Sequence, residues 1–184
     1  MNLADKLSSI RIILIPVFVS LLIYSRTYHN LILWAAGVFI LAVLSDFFDG
    51  LAARIRKEKS NIGQIIDPLA DKLLLFSAFI SLYLLREVLP LKYQMPLGIV
   101  LVVVSRDIII ISGLTILNFL KVETSLAPTL AGKLTTFFQM FTILSLLFNV
   151  PFFSWVWKIA VTFTLISGID YFIRGIKAIN NGNN

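Results

Sequence analysis

The sequence has no cysteine, a single histidine and few charges: only 14% of its 184 residues are Asp, Glu, Lys or Arg. Without cysteine there is no disulfide, no thiolate metal site and no cysteine nucleophile. Ordinary soluble domains carry about 25% charged residues, so a water-soluble globule of this length would lack polar surface. The apolar excess, 58% with a mean hydropathy of +0.91, equally excludes a disordered chain. A large multidomain enzyme does not fit the length, and no internal repeat is evident. The net charge of +6 on so apolar a chain suits anionic lipid headgroups, so no nucleic-acid partner is expected.

What is present is a series of apolar blocks: Ile10–Tyr24, Leu31–Ser45, Leu73–Leu85, Met95–Leu120, Leu134–Val150 and Phe152–Ile179. None alternates with period two as a membrane β-strand does. They predict an all-α integral membrane protein, six transmembrane helices in a single domain over 1–184. The polar opening, Met1–Arg11, reads as a short interfacial helix leading into the first span. Pro16 and the lack of a small-residue cleavage site argue against a signal peptide there. Trp34, Trp155 and Trp157 fall near block edges, as an aromatic belt does. His29 lies by the outer connection and takes no role, and the tail Asn180–Asn184 reads as a frayed end.

Six spans put both termini on one side. Lys6, Arg11, Arg54, Arg56, Lys57, Lys59, Lys72, Lys121, Lys133, Arg174 and Lys177 fall there, against Arg26, Arg86, Lys92 and Lys158 opposite. The positive-inside rule makes that side the cytoplasm.

Two blocks are too short. Leu73–Leu85 has 13 residues and Leu31–Ser45 has 15, where a span needs about 20. Each helix must borrow neighbours, which draws Asp67 and Asp71 into the third and Asp46 and Asp49 into the second. Asp46 and Asp49 are three apart, Asp67 and Asp71 four apart, so each pair shares a helix face. Converging carboxylates at membrane depth repel unless they are neutralised. Divalent metal resolves this. An all-oxygen set selects Mg²⁺ or Mn²⁺, and four acids can hold two ions, the arrangement that clamps a diphosphate. Gly50, Ala53 and Gly63 remove bulk beside the acids, so that a nucleotide or phosphate can approach the backbone. Gly63 as a plain turn residue and Ala53 as helix packing remain open. Phe47 and Phe48 read as packing, with shielding of the acids as the alternative.

Asp46, Asp49, Gly50, Ala53, Arg54, Gly63, Asp67 and Asp71 stand in the order D-x2-D-G-x2-A-R-x8-G-x3-D-x3-D. This resembles the signature of the CDP-alcohol phosphatidyltransferases, and the likeness extends over the whole chain. The resemblance implies attack by an alcohol hydroxyl on the β-phosphorus of a CDP-linked lipid, CDP-diacylglycerol, with release of CMP. It implies metal ligation by Asp46, Asp49, Asp67 and Asp71, with Asp71 also the general base. Asp46, Asp49, Gly50, Ala53, Arg54 and Gly63 would then bind the CDP group. It further implies a polar cavity open to the cytoplasm and laterally to the inner leaflet of a bacterial-type cytoplasmic membrane, and a homodimer.

Residues outside the signature bear on the acceptor. Asn2-Leu3 … Lys6-Leu7-Ser8-Ser9-Ile10-Arg11, Arg106-Asp107-Ile108-Ile109-Ile110 and Gly132-Lys133-Leu134-Thr135-Thr136 are similar to members that use glycerol 3-phosphate. A phosphorylated acceptor needs cations, and Arg106 and Lys133 are the candidates. Arg106 has a second reading, an internal salt bridge to Asp107, and Lys133 another as a snorkelling boundary lysine. Leu114 and Thr135 stand where many glycerophosphate-using members carry cations. That departure also resembles the branch whose acceptor is phosphatidylglycerol, the cardiolipin-forming one; another branch takes inositol phosphate. A transporter or channel is the reading from another class, but no second acid cluster follows Asp71 as duplicated halves would require.

Overall fold

A computed structural model describes the backbone at 3–56, 63–119 and 129–182, and side chains at 11–45, 72–113, 115, 119 and 129–177. Every regular element among the described residues is helical: α1 (Leu3–Tyr24), α2 (Leu31–Arg56), α3 (Gly63–Leu84), α4 (Leu97–Phe119), α5 (Leu130–Leu147) and α6 (Phe153–Gly182). Two stretches, Leu130–Leu147 and Phe153–Lys177, are long and apolar enough to cross a membrane. Shorter apolar stretches occupy Arg11–Tyr24, Leu31–Ser45 and Lys72–Leu84.

The expected interfacial helix over Met1–Arg11 is not a separate element. Residues from Leu3 onward are the first turns of a single 22-residue helix that runs through Pro16 to Tyr24. No glycine or proline lies between Leu3 and Ile15 to end a helix at Arg11. The two short blocks lengthen as the span argument requires, α2 to 26 residues and α3 to 22.

The chain forms two compact units, residues 1–95 with 146–150, and residues 96–145 with 151–184. In the first, α1 packs against both α2 and α3, which also meet each other. Phe18, Leu22, Phe39, Leu75 and Phe79 are fully buried, with Ala35, Ala36, Ala42 and Ala78 between them. Small residues of this kind let helix backbones approach closely. The Phe18 and Phe39 rings meet at 5.7 Å between centroids. At one edge of this unit Asn149, at φ 52°, accepts a 2.6 Å hydrogen bond from the Lys92 N–H through its Oδ1. Asn tolerates that left-handed backbone better than most residues.

In the second unit α4 packs against α6, and α5 joins α6 through polar contacts. Thr135, Gln139, Thr142 and Ser145 of α5 are buried, as are Thr164 and Ser167 of α6. Thr135 Oγ1 donates to the Phe163 carbonyl at 2.9 Å, and Gln139 Nε2 donates to Thr164 Oγ1 at 3.2 Å. Interhelical hydrogen bonds of this type in membranes contribute about 0.6 kcal/mol each. Phe138 and Phe163 stack nearly parallel at 5.1 Å beside them.

Candidate active site

The eight signature residues occupy two consecutive helices. Asp46, Asp49, Gly50, Ala53 and Arg54 lie in the carboxy-terminal half of α2, and Gly63, Asp67 and Asp71 in the first part of α3. Helical backbone at all four acids gives them the register assumed from their spacing, one face for each pair. Both helices are held to α1. The side chains of all eight residues, and the connection at 57–62, lie outside the described residues. The ligand set expected from the sequence is carboxylate only, a chemistry that suits a hard cation such as Mg²⁺ or Mn²⁺.

Sequence reading gives Arg11 no individual role. Counted there on the cytoplasmic side, it is fully buried in α1, among the largest fully buried side chains of the described residues. The available signal was its position inside the first apolar block rather than before it.

The two acceptor candidates lie in the second unit. Arg106 is 7% exposed within α4. Its Nη1 donates to Asp107 Oδ1 at 2.7 Å, so the internal salt bridge foreseen as its second reading is present. Its Nη2 donates to Ser167 Oγ on α6 at 2.8 Å, while Nε is buried with no hydrogen-bond partner. Two glycines lie beside it. A Cβ at Gly168 would stand 3.5 Å from Arg106 Cγ, and one at Gly132 3.7 Å from both Nη2 and Ser167 Oγ. Arg106 also lies in the wall of an apolar groove of about 360 Å³ formed by α4 and α6, with Leu101, Leu165 and Phe172.

Lys133 is exposed in the first turn of α5. That turn is capped by Thr129, whose Oγ1 accepts from the Gly132 N–H at 3.2 Å and whose carbonyl accepts from the Lys133 N–H at 3.1 Å. Gly132, where a Cβ would come 3.7 Å from Arg106 Nη2, precedes Lys133 in this turn. Lys133 thus follows directly on the glycine nearest the Arg106 guanidinium. Thr135 adds no charge, and its hydroxyl is spent on the carbonyls of Ala131 and Phe163.

An acid–glycine signature carried on two consecutive helices of an apolar, all-helical chain is the pattern of a helical membrane transferase of phospholipid synthesis. The chain belongs to the CDP-alcohol phosphatidyltransferase family, whose sequence model matches residues 1–166. The match takes in the whole signature together with Arg106 and Lys133, and it decides against the transporter or channel reading. Among curated relatives, the chain is 30% identical to the CDP-diacylglycerol–glycerol-3-phosphate 3-phosphatidyltransferase of Bacillus subtilis (strain 168), over 99% of each chain. It is 31% identical to the enzyme of that name from Aquifex aeolicus (strain VF5), over 97% of this chain and 98% of the relative. It is also 31% identical to a probable phosphatidylglycerophosphate synthase of Mycobacterium tuberculosis (strain ATCC 25618 / H37Rv), over 97% and 83% respectively.

Proposed function

We propose that this protein transfers the phosphatidyl group of CDP-diacylglycerol to a hydroxyl of sn-glycerol 3-phosphate, giving phosphatidylglycerophosphate and CMP. The observation that carries the reading is the complete signature laid along α2 and α3. The relatives' named activity supports the choice of acceptor. In the reaction the acceptor oxygen bonds to the β-phosphorus, the bond from that phosphorus to the CMP oxygen breaks, and the hydroxyl proton passes to the Asp71 carboxylate. Asp46, Asp49, Asp67 and Asp71 would hold two divalent cations, Mg²⁺ or Mn²⁺, which when bound offset the charge of the diphosphate. Gly50, Ala53 and Gly63 leave room for the cytidine and its phosphates, with Arg54 beside them. Arg106 and Lys133 receive the acceptor's phosphate, the one group that sets glycerol 3-phosphate apart from a neutral alcohol.

The whole chain, 1–184, works as one domain: six spans around a polar cavity, with both termini and the active site facing the cytoplasm. The cavity opens sideways to the inner leaflet, because the donor's tails stay in lipid while its headgroup reacts. The functional form is a homodimer. The deciding assay measures CMP release from CDP-diacylglycerol and Mg²⁺ with glycerol 3-phosphate, phosphatidylglycerol or inositol phosphate supplied singly. Turnover with glycerol 3-phosphate alone is expected. Preference for either other acceptor would overturn the assignment while leaving the chemistry intact.

A further inference from the structure

We infer that Ser167 is a positioning residue for acceptor recognition, acting through the Arg106 guanidinium. The inference rests on the proposal that Arg106 binds the acceptor's phosphate, and it adds what aims that cation. Asp107 is the neighbour in sequence, on the same helix, and its bond to Nη1 turns with α4. Ser167 comes from another helix, 61 residues on, and its oxygen accepts from Nη2 at 2.8 Å. Two bonds to separate nitrogens, from separate helices, fix both the position and the plane of the guanidinium. Arginine otherwise carries about 2 kcal/mol of rotamer entropy, which binding a phosphate would have to overcome.

The surroundings restrict which of its N–H groups a ligand can meet. Its stem lies against Gly168, and Nη2 lies against Gly132 at the opening of α5. Nε is sealed from contact, so only the remaining N–H groups of Nη1 and Nη2 can meet a ligand. An arginine has five N–H donors, and the two bonds to Asp107 and Ser167 leave one on each Nη nitrogen. The matching ligand is the phosphate of a small phosphorylated alcohol, held by two N–H groups in a plane that Ser167 sets. Ser167 itself touches no substrate and lies one residue past the family match at 1–166.

The test is steady-state kinetics on the full-length protein, varying glycerol 3-phosphate and CDP-diacylglycerol in turn, for wild type, Ser167→Ala, Ser167→Thr and Arg106→Ala. Loss of a hydrogen bond to a charged group predicts a rise of about tenfold in KM for glycerol 3-phosphate in Ser167→Ala. Its kcat, its KM for the CDP-lipid and its thermal midpoint stay near wild type, and Ser167→Thr, which keeps the hydroxyl, restores acceptor affinity. Wild-type acceptor KM in Ser167→Ala, with a raised value in Arg106→Ala, overturns the role of Ser167 alone. A joint loss of kcat, both affinities and thermal stability in Ser167→Ala overturns it too, by making the contact structural. An unchanged acceptor KM in Arg106→Ala sinks the reading of Arg106 beneath it.

Discussion

The roles proposed for Asp71 and Asp46 predict different losses. Asp71→Asn keeps the shape and size of the side chain but removes its basicity. Turnover should fall about 10²- to 10⁴-fold, the usual worth of a general base, while binding of CDP-diacylglycerol in the presence of Mg²⁺, measured by calorimetry, persists. Asp46→Ala should behave otherwise, losing Mg²⁺-dependent binding of the CDP-lipid altogether. Unaltered metal-dependent affinity in that variant would remove Asp46 from the ligand set. Helical backbone at Asp46, Asp49, Asp67 and Asp71 was legible in sequence because the short apolar blocks had to extend through them. The burial of Arg11 was not legible, since a cation at a block edge looks the same whether it faces water or is buried.

Helix extents followed from a length argument. A 13-residue block cannot span, so α3 had to begin before Leu73, and it opens at Gly63. The same reasoning failed at the amino terminus, where polar residues read as a boundary do not interrupt helical backbone, and α1 starts at Leu3. In the second unit the glycines at the Arg106 contact give the element-scale prediction. A Cβ at Gly168 would lie in ordinary contact, 3.5 Å from Arg106 Cγ, and alanine is favoured over glycine in helices by about 0.5–1 kcal/mol. Gly168→Ala should therefore keep or raise the thermal midpoint and leave acceptor KM unchanged. Gly168→Leu drives further atoms into the arginine stem; overpacking of this kind costs about 1–3 kcal/mol, and acceptor KM should rise as the guanidinium shifts.

For the whole molecule, several cations among the described residues sit over aromatic rings. Arg86 lies over Tyr83 at 4.3 Å, Lys158 over Trp155 at 5.3 Å and Arg174 over Tyr171 at 4.9 Å. Such pairs suit the headgroup layer, where one end of the side chain is apolar and the other wet. The absence of cysteine makes orientation directly measurable. In intact cells, Arg26→Cys and Lys158→Cys should react with an impermeant maleimide, whereas Lys177→Cys should react only after permeabilisation. Labelling of Lys177→Cys from outside would reverse the proposed topology.

Composition and block order by themselves determined a helical, membrane-type chain, and the acid spacing determined its family chemistry. Both are local properties, set by the hydrocarbon's demand for internally bonded backbone and by helical periodicity. Only the tertiary structure decided that Arg11 is buried, and that Ser167, Gly132 and Gly168 surround Arg106. Those contacts depend on which helices pack together and at what rotation, and a separation of 61 residues carries no trace of either.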